Sequence, residues 1–200
     1  MPSVSIVMGS DSDLERMAEA ERVLKEFGVG VEVTIASAHR SPELVREYAQ
    51  GLKARGVKVV IAAAGGAAHL AGVIASLTVL PVIGVPMGPT VPAGSAALGG
   101  FGGLGVMSGL DALLSTVQMP SGVPVACVAV NGAKNAALLA VRILALCDED
   151  LEAKLMTYMH DQSEEVKRKA EQLRDLGVEG YLAKKARVRP HGPDETSPRH

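Results

Sequence analysis

The chain has 200 residues, and at about 150 residues per domain that predicts one domain with at most an appendage. Its 48% hydrophobic and 21% charged residues exclude a wholly disordered chain. A net charge of −2, 2% aromatic residues and two cysteines (Cys127 and Cys147) exclude a basic nucleic-acid or anionic-lipid surface, a base-stacking platform, a disulfide scaffold and a zinc cluster.

The run VSIVM (4–8) is continuously apolar and reads as a buried parallel strand. After the turn GSDSD, Leu14, Met17, Ala20, Leu24 and Phe27 recur at three- and four-residue spacing. That is one face of a helix, closed by Gly28. VEVTIA is a second strand. In SAHRSPE, Ser41 is a candidate N-cap and Pro42 lies just inside the next helix. Leu44, Tyr48 and Leu52 form the inward stripe of that helix, and Gly56 ends it. VKVVIAAA, a Gly-Gly turn, the Ala-rich AAHLAGVIASL and the strand PVIGV repeat the cycle. GLDALLSTV reads as a short helix and VPVACVAV as a strand. AKNAALLAVRILALC reads as a helix with Ala136, Leu139, Ile143 and Leu146 inward.

This alternation predicts an α/β fold: a three-layer, flavodoxin-like sandwich around a central parallel sheet of order 2-1-3-4-5. Residues 1–147 form the expected main domain. Within it, the segment 87–107 carries seven glycines and no charge, and is expected to be a flap or a segment packed on a partner. A C-terminal amphipathic helix is expected over 148–177, with Leu151, Leu155, Met159 and Val166 apolar, packing on a neighbouring subunit. Residues 178–200 are expected to be a flexible tail.

Residues 59–110 contain no Asp, Glu, Lys or Arg, whereas residues 161–200 hold 17 of them. The stretch 59–85 is long enough to span a bilayer, but Gly65-Gly66, His69 and Pro81 cut it into strand- and helix-sized pieces. No membrane contact is expected. A sheet covered on both faces, with helices that also meet other subunits, accounts for the missing charge. The start, MPSVSIVMGSDSD, lacks a signal-peptide pattern, so a cytoplasmic protein is expected.

In an open parallel sheet, ligands bind beyond the carboxyl ends of the strands. That rule selects MGSDSD (8–13), SAHRSP (37–42) and AAAGGAAHL (62–70). In the first, Gly9 lets backbone approach, Ser10 and Ser12 offer hydroxyls, Asp13 opens the helix, and free N–H groups suit an anion. An ordinary helix cap explains the same residues. In the second, Ser37, His39 and Arg40 combine a hydroxyl, a proton carrier and a planar cation suited to phosphate. A surface histidine is the plainer alternative. In the third, Ala64, Gly65, Ala67 and Ala68 present bare backbone to a flat ligand, or simply pack tightly. His69 there, taken alone, reads first as a core histidine hydrogen-bonded to a carbonyl. No dinucleotide fingerprint, P-loop or metal motif is present.

Taken in order, MGSDSD, SAHRSP, AGGAAHLAG, PVIGVP, GLDALLSTVQMPSGVPV and NAALLAVRIL resemble the N5-carboxyaminoimidazole ribonucleotide mutases of purine biosynthesis, from about Val4 to Leu146. The resemblance implies a flavodoxin-like fold and a homo-octamer with active sites at subunit contacts. It implies carboxyl transfer from the exocyclic nitrogen of a small-molecule ribonucleotide to ring carbon C4, with no metal, ATP or organic cofactor. It further implies that His39 moves the protons, that Ser10, Ser37 and Arg40 hold phosphate, and that Asp13 holds the ribose hydroxyls. Backbone from Ala64 to Ala68 would meet base and carboxylate, with His69 in support.

The family's short link after its VGVP-like strand is extended here by the 87–107 segment, and the C-terminus runs on further. AGGAAHL and AHR favour the mutase. PSG at 120–122 and NGAKNAALL are closer to a related carboxylase that uses free CO2. A non-catalytic nucleotide-binding module on the same fold is the third reading.

Overall fold

The structure, a computed structural model, describes residues 1–89 and 109–188. Five parallel strands form one sheet: β1 (Val4–Met8), β2 (Val31–Ile35), β3 (Val59–Gly65), β4 (Val82–Met87) and β5 (Ala126–Cys127). Their order is 2-1-3-4-5, the flavodoxin-like arrangement expected. The connecting helices are α1 (Leu14–Glu26), α2 (Pro42–Gly51), α3 (Leu70–Leu77), α4 (Leu110–Val117) and α5 (Ala133–Ala145), followed by α6 (Glu149–Val188).

All five residues of β1 are buried, as its unbroken apolar run requires of a strand covered on both faces. Val7, Val60, Ala62 and Val82 pack with Val45, Leu52, Leu70 and Ile74 on the side of α2 and α3. The alternate strand residues Ile6, Ile61 and Ile83 are equally buried, on the other face. Gly28 and Gly56, with φ of 78° and 88°, turn the chain after α1 and α2, where a side chain would be strained.

One polar cluster lies within this core. The Ser5 Oγ donates to Glu32 Oε1 at 2.8 Å and shares a 2.5 Å hydrogen bond with the Tyr48 hydroxyl. Arg55 closes the far side of Glu32 with Nε–Oε2 at 3.1 Å and Nη2–Oε1 at 3.0 Å. Burial pushes the Tyr48 phenol up to about 12.

Some expected inward positions differ. In and just after α1, Met17, Ala20, Leu24 and Phe27 are buried as expected but Leu14 is exposed. Around α2, Tyr48 and Leu52 are buried as expected, Leu44 is exposed, and Val45 and Ala49 are buried as well. In α5 the buried face is Ala133, Ala136, Ala137, Ala140, Val141 and Leu144, while Leu146 is 83% exposed. Small residues let α5 approach α1 and the sheet closely, so the alanines rather than the largest side chains mark its inner face. The strand expected over VPVACVAV shrinks to Ala126–Cys127. Pro124 has no amide to donate, and beyond Cys127 the chain follows β4 through two isolated bonds, Val128 N to Gly84 O and Asn131 N to Pro86 O.

Contacts divide the chain into a first unit, Met1–Ala153, and a second that begins at Lys154. The Asp148 side chain accepts from the Leu151 amide at 3.1 Å and caps α6. Leu151 is buried, but Met159 and Val166 are exposed. At Gly177 the backbone leaves helical geometry (φ 64°, ψ 176°), then resumes it as far as Val188. Helix therefore continues past the expected stop, because residues 178–188 are mostly good helix formers with no proline until Pro190. The flap expectation for 87–107 falls, beyond Pro89, outside the described residues, as does the tail after Val188. Among the described residues no helix is long and apolar enough to cross a membrane.

Candidate active site

Three loops at the carboxyl ends of β1, β2 and β3 enclose one cleft of about 390 Å³. Gly9, Ser10, Ser12 and Asp13 line it from the first loop, and Ser37, Ala38, His39 and Arg40 from the second. The third contributes Ala64, Gly65, Ala67, His69 and Leu70. Of the residues expected in the site, only Ala68 is missing from its wall; its side chain is buried.

The first loop is tied down by the Gly9 amide, which donates to the Ala63 carbonyl at 3.1 Å. A 3-10 turn, Asp11–Asp13, precedes α1, and Ser10 caps it by accepting from the Ser12 amide at 3.3 Å. Asp13 is half-buried where turn meets helix, and makes no capping bond of its own. Burial pushes its carboxyl above the usual carboxylate range; the charge of Arg16 and a hydrogen bond from Ser12 pull the other way.

The second loop folds on its own hydroxyls. Ser37 Oγ accepts from the Arg40 amide at 3.3 Å and from Arg40 Nε at 3.2 Å. Arg40 Nη2 then reaches the Gly9 carbonyl at 2.7 Å, bridging the first two loops. Ser41 does not cap α2 as expected. Its hydroxyl donates to the Ser37 carbonyl at 3.1 Å and accepts from the Ser37 amide at 3.2 Å, closing the loop on itself. Ser10, Ser37 and Arg40 thus gather hydroxyls and a guanidinium beside helix N-termini, an arrangement chemically suited to a phosphate.

In the third loop Gly65 lies against β4: a Cβ there would sit 3.1 Å from the Met87 carbonyl. Gly66 adopts φ of 60°, which allows the chain to turn towards α3. His69 is exposed at the start of α3, not a core histidine. Its Nδ1 stands 2.9 Å from Nε2 of His39, with the rings edge-on and their centroids 5.0 Å apart.

Sequence reasoning overlooked a junction that ties the start of α1 to the chain just after β4 and to the loop before α5. Asn131 Oδ1 accepts from Arg16 Nη1 at 2.8 Å and from the Gly88 amide at 2.9 Å; Arg16 also donates to the Gly88 carbonyl. A cation in the first turns of α1 opposes the helix dipole, which was the available signal that Arg16 has a partner. Asn131 takes φ of 59°, a left-handed conformation that asparagine tolerates. Among the described residues no group of three His, Cys, Asp or Glu side chains could hold a metal ion.

The AIR carboxylase family model matches residues 3–165. An N5-carboxyaminoimidazole ribonucleotide mutase of Pyrococcus horikoshii is 56% identical over 91% of this chain and 94% of its own length. The mutase of that name from Thermotoga maritima is 47% identical over 92% and 99%. The phosphoribosylaminoimidazole carboxylase of Saccharomyces cerevisiae is 50% identical over 92% of this chain but 30% of its own length. Among solved structures, the crystal structure of Treponema denticola PurE superposes with a TM-score of 0.72 at 28% identity, covering 86% of this chain and 99% of that one. The sheet order, the three-loop cleft and these matches lead to one assignment: the chain belongs to the AIR carboxylase family.

Proposed function

We infer that this chain is an isomerase of purine biosynthesis, moving the carboxyl group of N5-carboxyaminoimidazole ribonucleotide from the exocyclic nitrogen to C4. The observation that carries the reading is the meeting of His39, Arg40, Ser10 and Asp13 around one cleft, in a chain nearly co-extensive with relatives named as the mutase. The relative named as a carboxylase is matched over less than a third of its length, so the free-CO2 reading is not favoured.

Arg40, Ser10 and Ser37 bind the phosphate in this scheme, and Asp13 accepts from the ribose hydroxyls. Backbone of Ala64, Gly65 and Ala67 faces base and carboxylate, with His69 beside them and Ala68 packed behind the wall. As the nitrogen–carboxyl bond of the carbamate breaks, protonated His39 gives its proton to the nitrogen and CO2 is released within the cleft. C4 bonds to that CO2, and neutral His39 then removes the C4 proton, which returns it to its starting state. Holding CO2 beside the ring is a proximity task for the residues that meet around the cleft.

The same reading takes the chain as a cytoplasmic homo-octamer binding neither nucleic acid nor membrane, with residues 1–147 catalytic and 148–177 docking on a neighbour. Its support is the uncharged stretch 59–110 and the exposed Leu110, Leu114 and Val117 on α4. The deciding experiment offers purified protein either the N-carboxylated ribonucleotide or aminoimidazole ribonucleotide with isotopically labelled bicarbonate. The mutase consumes the first, without taking label from bicarbonate in solution. Incorporation of label from the second at a comparable rate would make it the carboxylase.

A further inference from the structure

We propose that His69 is a positioning residue that fixes the tautomer of His39: His39 Nε2–H donates to His69 Nδ1, leaving His39 Nδ1 as the atom that gives and takes the substrate proton. The two nitrogens are 2.9 Å apart, so one of them must donate and the other accept. Among the described residues the other ring nitrogens, His39 Nδ1 and His69 Nε2, have no hydrogen-bond partner.

The direction of the bond follows from chemistry, and this step rests on the carboxyl-transfer reading. A residue that both donates and removes a proton passes through a cationic and a neutral state. In the cationic state both ring nitrogens of His39 carry hydrogen, so Nε2 can only donate. Were His69 the donor, its N–H would face an N–H each time His39 became charged, and the bond would break in every turnover. With His39 as donor, the bond survives both states and the ring keeps its aim. His69 then stays neutral, its own proton on Nε2, and exchanges none with substrate. The role parallels that of a buried carboxylate that holds a catalytic imidazole in one tautomer.

The loop geometry supports such a pairing. His69 begins α3, where its amide donates to the Ala67 carbonyl at 2.8 Å and its carbonyl accepts from the Val73 amide at 3.0 Å. His39 lies in a loop closed by Ser37 and Ser41. Both backbones are held, so the edge-on contact is between two fixed positions.

The test uses the full chain labelled with 15N in its histidine rings, ligand-free, with His39 signals assigned by their loss in His39→Asn. Neutral His39 is expected to carry hydrogen on Nε2 with Nδ1 bare. In His69→Leu it should relax to a mixture of tautomers, with kcat falling about 10- to 100-fold, the scale known for orienting partners of metal-bound histidines, and KM nearly unchanged. His69→Asn, which keeps a polar atom near the Nδ1 position, should restore much of both. Hydrogen on Nδ1 of His39 in the unmodified chain, or an unaltered tautomer in His69→Leu, overturns the proposal. An unmodified chain that turns over neither substrate would overturn the functional reading, while the ring-nitrogen spectrum still decides the direction of the bond.

Discussion

Arg40 reaches from the start of α2 to the first loop, where its Nη2 donates to the Gly9 carbonyl at 2.7 Å. One guanidinium thus joins the loops after β1 and β2, and its Nε rests on Ser37 at 3.2 Å. In the phosphate-binding role proposed for Arg40, a cation already held in place lowers the ordering cost of binding.

Arg40→Ala is therefore expected to weaken ribonucleotide binding more than it slows the bound chemistry. A hydrogen bond to a charged group contributes about 1.5–3 kcal/mol, so KM should rise about 10- to 100-fold. Arg40→Lys should recover only part, because an ammonium lacks the planar fork. Steady-state kinetics on both variants check this, and a loss confined to kcat would count against phosphate binding at Arg40.

Asp13 offers a case where stability and activity should part. Burial holds its carboxyl above the ordinary 3.8, so in that range the folded chain keeps a proton that the unfolded chain has released. Stability then falls as pH rises through the window above 3.8 and remains lower at neutral pH. Asp13→Asn should raise the urea midpoint at neutral pH, an advantage that fades below pH 3.8, and should lower kcat/KM sharply. A lower midpoint at neutral pH would show that Asp13 serves the fold instead.

Tyr48 gives the alkaline counterpart. Its phenol ionises at about 12 when folded, against an ordinary 10.0. Between those values the unfolded chain loses the proton first, so stability drops as pH rises from 10 to 12, by about 3 kcal/mol in all. Tyr48→Phe should flatten that part of the profile while Ser5 keeps its bond to Glu32. Urea unfolding across the range measures it; an equally steep fall in the phenylalanine variant would assign the drop to other groups.

How much of this was visible in the sequence depended on how far apart the cooperating residues lie. Continuous apolar runs such as VSIVM, and Gly28 or Gly56 at helix ends, carry their cause locally, and the strand order followed from alternation. The three loops could be chosen because ligands collect at strand carboxyl ends. Helix faces were read from large side chains, and so Leu44 and Leu146 were placed inward although Ala49, Ala137 and Ala140 do the packing. Arg16, Asn131 and Gly88 are far apart in the chain, and nothing local foretells their meeting. The same holds for His39 and His69, thirty residues apart but in hydrogen-bond contact.

The Asn131 junction should matter for stability. Asn131→Ala removes the acceptor shared by Gly88 and Arg16 and puts a Cβ-bearing residue without a polar side chain at φ of 59°. A loss of about 2–4 kcal/mol is expected from the orphaned Gly88 amide, the bond lost to Arg16 and the strained backbone together. Asn131→Gly should recover about 1 kcal/mol of it, since glycine takes the conformation freely. Denaturant midpoints for the two variants separate these contributions, and equal losses would remove backbone strain from the account.

The most direct test of the whole account is to replace His39 with asparagine and measure turnover and ribonucleotide binding on the same preparation. Turnover of the N-carboxylated ribonucleotide should fall by at least about 100-fold, the lower bound for losing a proton carrier, with binding largely kept because Arg40, Ser10 and Asp13 remain. A variant that transfers the carboxyl group at nearly the normal rate would show that the proton passes elsewhere, and the cleft built around His39 would need another explanation.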